Sequence, residues 1–588
     1  MSETGHLARQ EGLPLPENLS KTRCGEISQI PALSEDIGRL CLNEECSDVT
    51  LLIDGERIPA HKVILAARSS YFKALFYGGL RTDKEEVELK ETAVTPFKYL
   101  LRFIYSSTLS LVGLGEDLVI EILAHARLFQ FTSLVESLAE YLKLVLDDSN
   151  LCTIFNISQL YSIPSLSDFC LEYADRNAGM VLSSEGFLQL SRECVQQLIS
   201  RDSFCAREID IFRAIDSWCR ANPEDLGREL LKYVRLSLIS MDDLLSVLRP
   251  SSLVSDSDIL DAIQKQRTKH SCRLMHRGMI APNENIATTS RGAAVIVGEH
   301  KHALLSTDVF HNEGERQYTQ HKIQTKQPEK EPGIILELGN PYMINHIAFG
   351  LFEKDLRQYS YCVEVSMDNT EYLRVVDYRA YLCRGRQRLY FDKRPAKFIR
   401  IYGVSCTNAA DFILTSFEAM LTTEPEAFDP ETALLIPKNN VATTINGALV
   451  SDGVSRNRNA LINGDTQGYD WDNGYTCHQI GSGHISVQLP QPVLISTMRL
   501  LLWDLDARSY SYRIDVSANN REWRTVVDKT HEACSSWQHL KFDLTPVVCI
   551  RIVGTHNTVN EIFHCVHFEC PALNPPAESE PAEVLMEA

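Results

Sequence analysis

The sequence predicts a multidomain chain in which an α/β domain leads, an all-α domain follows and two all-β sandwiches close. Three observations carry that reading. The stretch Ser47–Phe76 reads as a short hairpin running straight into a helix. Apolar residues at helical spacing persist from Asp148 to Arg267, and residues 334–418 align without a gap on 485–569 at a constant offset of 151. A period that long marks two whole domains in tandem, not a solenoid of small units.

At 588 residues the chain has room for about three to five domains, each able to bury a core. The apolar share of 44% and charged share of 23% are ordinary for globular protein. A net charge of −20 argues against a surface built to neutralise phosphates, so nucleic acid is not an expected partner. No apolar run approaches the roughly 18 to 20 residues of a membrane span, and the first twenty residues lack the apolar core of a secretory signal. The seventeen cysteines are an odd number without a regular frame, and read as reduced thiols, mostly buried. Composition points to a cytoplasmic protein with no membrane insertion.

Residues 1–33 are polar with scattered Pro and Gly, and read as disordered. Leu33–Leu40 begins a helix with Ser34 as its N-cap. Strands Val49–Ile53 and Ile58–Ala60 flank Asp54-Gly55, a dipeptide that tolerates the positive φ of a tight hairpin. In the next helix Val63, Ala66, Ala67, Ser70, Tyr71 and Ala74 share one small-residue face, and Ile64, Leu65, Leu75 and Phe76 make the other side apolar. One continuous helix, buried on most of its circumference, is expected. A strand at Val87–Leu89, a helix that Thr95-Pro96 opens with Thr as cap, and helices near 116–129 and 132–146 complete a domain spanning 34–147.

These residues resemble a BTB/POZ domain. Asp48-Val49, Ala60-His61-Lys62-Val63-Ile64-Leu65-Ala66 and Ser69-Ser70-Tyr71-Phe72 follow its signature in order. The resemblance implies a homodimer whose leading segment, Leu40 included, crosses to the partner subunit. It also implies that Asp48 and Lys62 are a charged pair lining a pocket at that interface.

In residues 148–267, Leu151, Ile154 and Phe155 form one stripe, and Ile211, Phe212, Ile215, Trp218 and Cys219 another. Directly after a BTB-like domain, this region resembles a BACK domain. Basic residues then concentrate in KQRTKHSCRLMHR, Lys265 to Arg277; this reads as a nucleic-acid or localisation patch, or as a solvated helix end.

The two repeat copies occupy 283–421 and 436–571, joined by TTEPEAFDPET and followed by an acidic tail, 572–588, read as disordered. Tyr359, Tyr361, Val363 and Val365 alternate with polar neighbours, as do Tyr510, Tyr512, Ile514 and Val516; period two means a strand with one buried face. The runs Val365 to Tyr372 and Val516 to Trp523, with Phe398-Ile399-Arg400-Ile401, resemble discoidin (coagulation factor V/VIII type C) domains. That implies galactose-binding-like jelly-roll sandwiches. Extracellular members staple the two ends with a disulfide, whereas Cys570 has no evident partner near Ile436.

No nucleophile elbow, P-loop, zincin or kinase set occurs, and no catalytic residue, cofactor or metal is expected. Along His564-Cys565-Val566-His567-Phe568-Glu569-Cys570 side chains alternate, so His564 and Cys570 face away from Cys565 and His567, and tetrahedral zinc ligation does not follow. Arg384, Arg386 and Arg388 alternate on a predicted strand and read as an anion-binding row or as a solvated sheet face. Tyr469, Trp471 and Tyr475 sit on a Gly/Asn/Asp-rich loop, the composition of a recognition surface; the other reading is that Trp471 caps the core.

The BTB–BACK resemblance implies a non-catalytic adaptor that recruits substrates to a cullin-3 RING ubiquitin ligase, with a protein substrate held by the sandwiches through Tyr469, Trp471 and Tyr475. The family's cullin motif, hydrophobic–any–Glu, falls on Leu80-Arg81-Thr82. Leu80 keeps the apolar anchor. Thr82 stands where the motif has Glu and removes a charge-assisted hydrogen bond worth about 1.5 to 3 kcal/mol. Leu151 and Phe155 on the first BACK helix are the second expected cullin contact. The alternative that Thr82 favours is a dimeric interaction scaffold independent of any cullin.

Overall fold

The computed structural model describes residues 29–78, 85–223, 227–268, 274–305, 318–323, 333–457 and 459–572. Leu80-Arg81-Thr82 and most of the two expected disordered ends lie outside the described residues. The chain divides into two compact units, Met1–Glu172 and Tyr173–Ala588.

In the first unit β1 (Val49–Ile53) and β2 (Glu56–Ala60) form the expected hairpin. Asp54 and Gly55 both take positive φ, 48° and 82°, which matches the twist of the strands they join. Strand β3 (Glu86–Glu88) adds to β1 in parallel. Helix α1 (Ile30–Arg39) starts before Ser34, whose hydroxyl donates instead to the Ser106 carbonyl at 2.8 Å, at the end of α4 (Val94–Ser106).

The expected single helix after the hairpin is two, α2 (Lys62–Arg68) and α3 (Ser70–Tyr77). Ser69 between them is extended, φ −135° and ψ 128°. Its hydroxyl satisfies the break twice, accepting from the Phe72 N–H at 3.2 Å and donating to the Phe129 carbonyl at 2.8 Å. The kink turns Leu65, Ala66, Phe72 and Phe76 into the core, where Phe72 stacks on Phe129, and leaves Val63, Ala67, Ser70 and Ala74 exposed. The small-residue face is therefore split: Ala66 joins the core and Tyr71 is half-buried against Phe129, while Val63, Ala67, Ser70 and Ala74 stay uncovered within the chain. Thr95 likewise does not cap α4: the cap is Ala93, whose N–H donates to His125 Nε2 at 3.1 Å on α5 (Glu116–Leu128). Helices α6 (Thr132–Leu144) and α7 (Leu151–Leu160) follow, and Asn150 ties the start of α7 to Glu116 at 3.0 Å. The unit boundary falls inside α8 (Pro164–Arg176).

The second unit opens with helices α9 (Ala178–Ser183), α10 (Arg192–Ser200) and α11 (Glu208–Ala221), and its last helix is Asp256–Thr268. Trp218, from the predicted α11 stripe, is buried and donates from Nε1 to the Leu190 carbonyl at 2.9 Å. Arg277 is not part of a basic surface. Its side chain is buried, its Nε donates to Glu208 Oε1 at 2.7 Å, and its other nitrogens donate to the carbonyls of Ile199, Arg201 and Tyr233.

Among the described residues each sandwich is built by seven strands. In the first copy these are β4 (Ala294–Val297), β5 (Thr319–Lys322), β6 (Ile334–Leu351), β7 (Tyr359–Ser366), β8 (Leu373–Cys383), β9 (Arg386–Cys406) and β10 (Asp411–Met420). Two strands are long enough to serve both layers. The first half of β6 pairs with β4 and with the second half of β9, which continues to β7 and β8. The second half of β6 pairs with the first half of β9 and with β10, which continues to β5. The register of β6 on β9 shifts between Glu337 and Tyr342 and again between Ile344 and His346; such irregularities bend a strand and let one sheet fold over itself.

The second copy repeats this with β11 (Leu449–Asp452), β12 (Thr476–Gln479), β13 (Ile485–Leu502), β14 (Tyr510–Ser517), β15 (Arg524–Cys534), β16 (Trp537–Asn557) and β17 (Ile562–Glu569). The bounds of β13 to β16 lie 151 residues after those of β6 to β9 at both ends. Tyr359, Tyr361, Tyr510 and Tyr512 fill the two cores, but the alternation does not mean one buried face: Ser360, Cys362 and Glu364 on the other face of β7, and Ser511 and Asp515 on that of β14, are buried as well.

Candidate functional site

The segment between β11 and β12 and the loop after β13 bring a cluster of rings to one end of the second sandwich. Trp503 is its centre and is completely buried. Trp471 lies over it with ring centroids 4.3 Å apart, and Tyr469 and Tyr475 meet it edge-on at 5.6 and 5.5 Å. His564, on β17, closes the cluster, 5.2 Å from Tyr475 and 5.8 Å from Trp471. The loop that carries Trp471 is held in place by polar ends: the Tyr469 hydroxyl donates to Asp504, as does Ser536, and Tyr475 donates to the Trp471 carbonyl at 3.1 Å.

Charge is arranged beneath the rings. The Arg508 guanidinium sits 4.7 Å from the Trp471 centroid and is clamped by two hydrogen bonds of 2.6 Å to Asp506. Burial first, then the Arg508 charge, holds the His564 imidazole down at about 4, so it is neutral at physiological pH. Burial and the bond to Asp504 push the Tyr469 hydroxyl up to about 12. Trp471 remains 51% exposed while resting on Trp503. Trp471 therefore covers the core with one face, as the second sequence reading has it, and turns the other to solvent.

Trp503 was not singled out by sequence reasoning, although a signal for it exists. In the gapless repeat it aligns on Phe352, next to the paired motifs Asp355-Leu356-Arg357 and Asp506-Ala507-Arg508. The other substitutions at this end are Ile413 for His564, Arg384 for Ser535 and Gly385 for Ser536.

The same end of the first sandwich packs against the second sandwich. The Arg384 N–H donates to the Pro490 carbonyl at 2.8 Å, and Gln387 Nε2 reaches the same carbonyl at 3.0 Å. Arg388 and Gln491 exchange two bonds of 2.7 and 2.9 Å, and Gln358 donates to Gln488 at 2.9 Å. The arginine row is thus neither free for an anion nor simply solvated. Arg384 is buried and pairs with Glu353, Arg386 pairs with Glu418, and Arg388 pairs with Glu426.

The remaining expected site residues are placed as follows. The Asp48 carboxylate accepts from the Lys62 backbone N–H at 2.7 Å, capping α2, and the Lys62 ammonium lies 6.0 Å from the Phe76 ring. Leu40 is half-buried at the end of α1. Leu151 and Phe155 are each only 2% exposed, so a partner approaching α7 meets Thr153 and Leu160, not those two side chains. That corrects the expectation for a cullin contact through Leu151 and Phe155: an apolar stripe at helical spacing marks the face the chain buries for itself. In the His564–Cys570 run, His567 bonds Glu569 at 3.3 Å, Glu569 pairs with Arg499 at 2.5 Å, and Cys565 and Cys570 are core. Among the described residues no group of three His, Cys, Asp or Glu is placed to hold a metal, and the fifteen described cysteines are thiols outside any disulfide.

Comparison with known proteins matches three family models: BTB/POZ domain over residues 37–144, BTB And C-terminal Kelch over 151–249, and F5/8 type C domain over 446–568. The fold and these three matches therefore define a BTB–BACK protein of the interaction-adaptor type with discoidin-like sandwiches. Human BTB/POZ domain-containing protein 9 is 46% identical over 96% of this chain and 91% of its own length. The Drosophila melanogaster protein of that name is 46% identical over 92% of this chain and 74% of its own. The chain belongs to the BTB/POZ domain-containing protein 9 family. Mouse BTB/POZ domain-containing protein 6 is 31% identical over 34% of this chain and 37% of its own. A solved structure, "CBM32 of AlyQ in complex with 4,5-unsaturated mannuronic acid", matches 21% of this chain and 92% of its own at 14% identity and a TM-score of 0.18, which carries no argument.

Proposed function

We propose that the chain is a non-catalytic cytoplasmic adaptor that brings a protein substrate to a cullin-3 RING ubiquitin ligase. In this reading the front of the chain dimerises and grips the cullin, and the tip of the second sandwich selects the substrate. The observation that carries it is an exposed Trp471, backed by a rigid ring cluster, on a chain that opens with a BTB–BACK pair. Rigid aromatic side chains give large contact area at small entropy cost, as recognition surfaces require.

Dimerisation is supported by the exposed side of α2. Val63 and Ala67 line an apolar groove of about 360 Å3 together with Ile30, Leu33 and Ile37 of α1. Val63, Ile30 and Leu33 are 65%, 72% and 60% exposed, more apolar surface than a lone domain gains by leaving wet. A second copy covering it is the simplest account.

The test is co-elution of the full chain with the N-terminal region of cullin-3. Wild type should co-elute and Leu80→Asp should not; undiminished binding by the mutant would move the contact elsewhere. Thr82 favours the second reading, a cullin-independent dimeric scaffold. Failure of the wild-type protein to co-elute at micromolar concentration would select it.

A further inference from the structure

Two concavities of the second unit meet at one exposed side chain. The first, of about 640 Å3, lies between the segment Gly227–Tyr233 and the helix Asp256–Thr268, over a floor of Leu231, Val234, Leu253, Val254 and Ala262. The second, of about 460 Å3, continues onto the first sandwich over Met343, Val365, Met367, Leu373 and Pro395. Leu274 and Met275 line both, and Met275 is 72% exposed. The two are one groove running from the helical region to the sandwich, with an aliphatic floor between polar walls. Three methionines, Met275, Met343 and Met367, lie along its sandwich half, and their unbranched, polarisable side chains adapt to varied apolar partners.

The rim is basic on a protein whose net charge is −20. Arg235 is engaged by Asp202 and Glu208. Arg228, Lys232, Lys265 and Lys393 are exposed and form no ion pair among the described residues. Against them stand Asp258, which already accepts from the Ser255 hydroxyl at 2.7 Å, and Asp261. The basic stretch Lys265 to Arg277 thereby divides by role: Arg277 is core, while Lys265 and Met275 face the groove.

We propose that this groove docks a peptide segment of a partner protein that combines acidic with apolar side chains. The aliphatic floor supplies affinity, and the four rim cations select the charge and steer its approach. The groove is separate from the tip of the second sandwich, so an adaptor would hold one partner here while the tip holds another. Among the described lining residues there is no Phe, Tyr or Trp, and His276 is the one aromatic ring, which disfavours single-stranded nucleic acid as the occupant.

The test is selection of random twelve-residue peptides on the full-length protein, counter-selected on Met275→Glu and on Lys265→Glu. Both side chains are at the surface, and circular dichroism of each variant should match wild type. The expected result is enrichment of Asp and Glu beside Leu, Ile, Phe or Met. Fluorescence anisotropy of the winners should show affinity lost at least tenfold in either variant and weakened by salt. Lys393→Glu should cost a further several-fold. Three results would overturn the proposal: no peptide whose binding depends on these variants, variant-dependent peptides that are basic or uncharged, or a twenty-nucleotide single strand that shows the variant dependence when peptides do not.

Discussion

The two sandwiches share a strand framework yet use the same end differently. The first copy presses Gln358, Arg384, Gln387 and Arg388 against Gln488, Pro490 and Gln491 of the second. The second copy leaves its equivalent end uncovered enough that Trp471 is half exposed, and it fills that end with Trp503 and His564 where the first has Phe352 and Ile413. A duplicated domain here disposes its two tips differently: one is pressed against its neighbour, the other is left half open to solvent. Four measurements would break or sharpen this contrast.

The largest expected effect is on stability. Trp503→Ala removes the ring on which Trp471, Tyr469 and Tyr475 rest, and should cost about 3 to 5 kcal/mol in urea unfolding. Phe352→Ala, at the matching position, is half-buried and should cost about 1 kcal/mol. Equal costs would mean that the second tip is no better packed than the first.

Acid comes next. Burial holds His564 in the second copy and His346 in the first at about 4, below the ordinary 6.5. An unfolded chain takes up protons below pH 6.5 that these sites refuse. Stability is therefore full above about pH 6.5 and falls as pH drops toward 4, by about 2 to 3 kcal/mol for each site. His564→Gln and His346→Gln should each remove part of that slope in pH-dependent melting, and a slope unchanged in both would refute the assignment.

Gln387 and Gln538 occupy matching positions. Gln387 is fully buried, accepts from the Tyr361 hydroxyl at 2.9 Å and bridges to the Pro490 carbonyl, so Gln387→Ala should cost about 2 to 3 kcal/mol. Gln538 is partly exposed and bonds only within its own copy, and Gln538→Ala should cost about 1 kcal/mol or less. Calorimetry should show the first substitution, and not the second, loosening the coupling between the sandwiches.

The smallest effect on stability belongs to Trp471→Ala, below about 1 kcal/mol because half of the ring is in water. It should nonetheless lower partner capture at least tenfold in proximity labelling with the full chain. Unchanged capture would remove this tip from the recognition surface.

Much of this architecture is legible in the sequence because periodicity and repetition are local records of burial. The offset of 151 reproduces the bounds of four long strands, and the Asp54-Gly55 turn falls where its composition places it. What could not be read depends on neighbours distant in sequence. Ser69 breaks a helix because its hydroxyl finds Phe129, sixty residues on. Arg384 is buried by Pro490, and nothing in the alternation of Arg384, Arg386 and Arg388 reports a second domain pressed against that row. The tip was half legible: Tyr469, Trp471 and Tyr475 carry the composition of a contact loop, while Trp503 and His564 are brought beneath it only by the strands.

Arg277 bears on where this chain can be cut. The described helix Asp256–Thr268 invites a fragment ending at Thr268. Such a fragment would keep Glu208, whose carboxylate is almost sealed from water, and discard the guanidinium lying 2.7 Å from it. Arg235 would remain, its backbone N–H donating to that carboxylate at 3.0 Å and its guanidinium 3.9 Å away, but losing the closer buried partner still costs up to about 3 kcal/mol, enough to make a sound domain look insoluble. Scissors set a dozen residues further on would leave the counter-ion with its host.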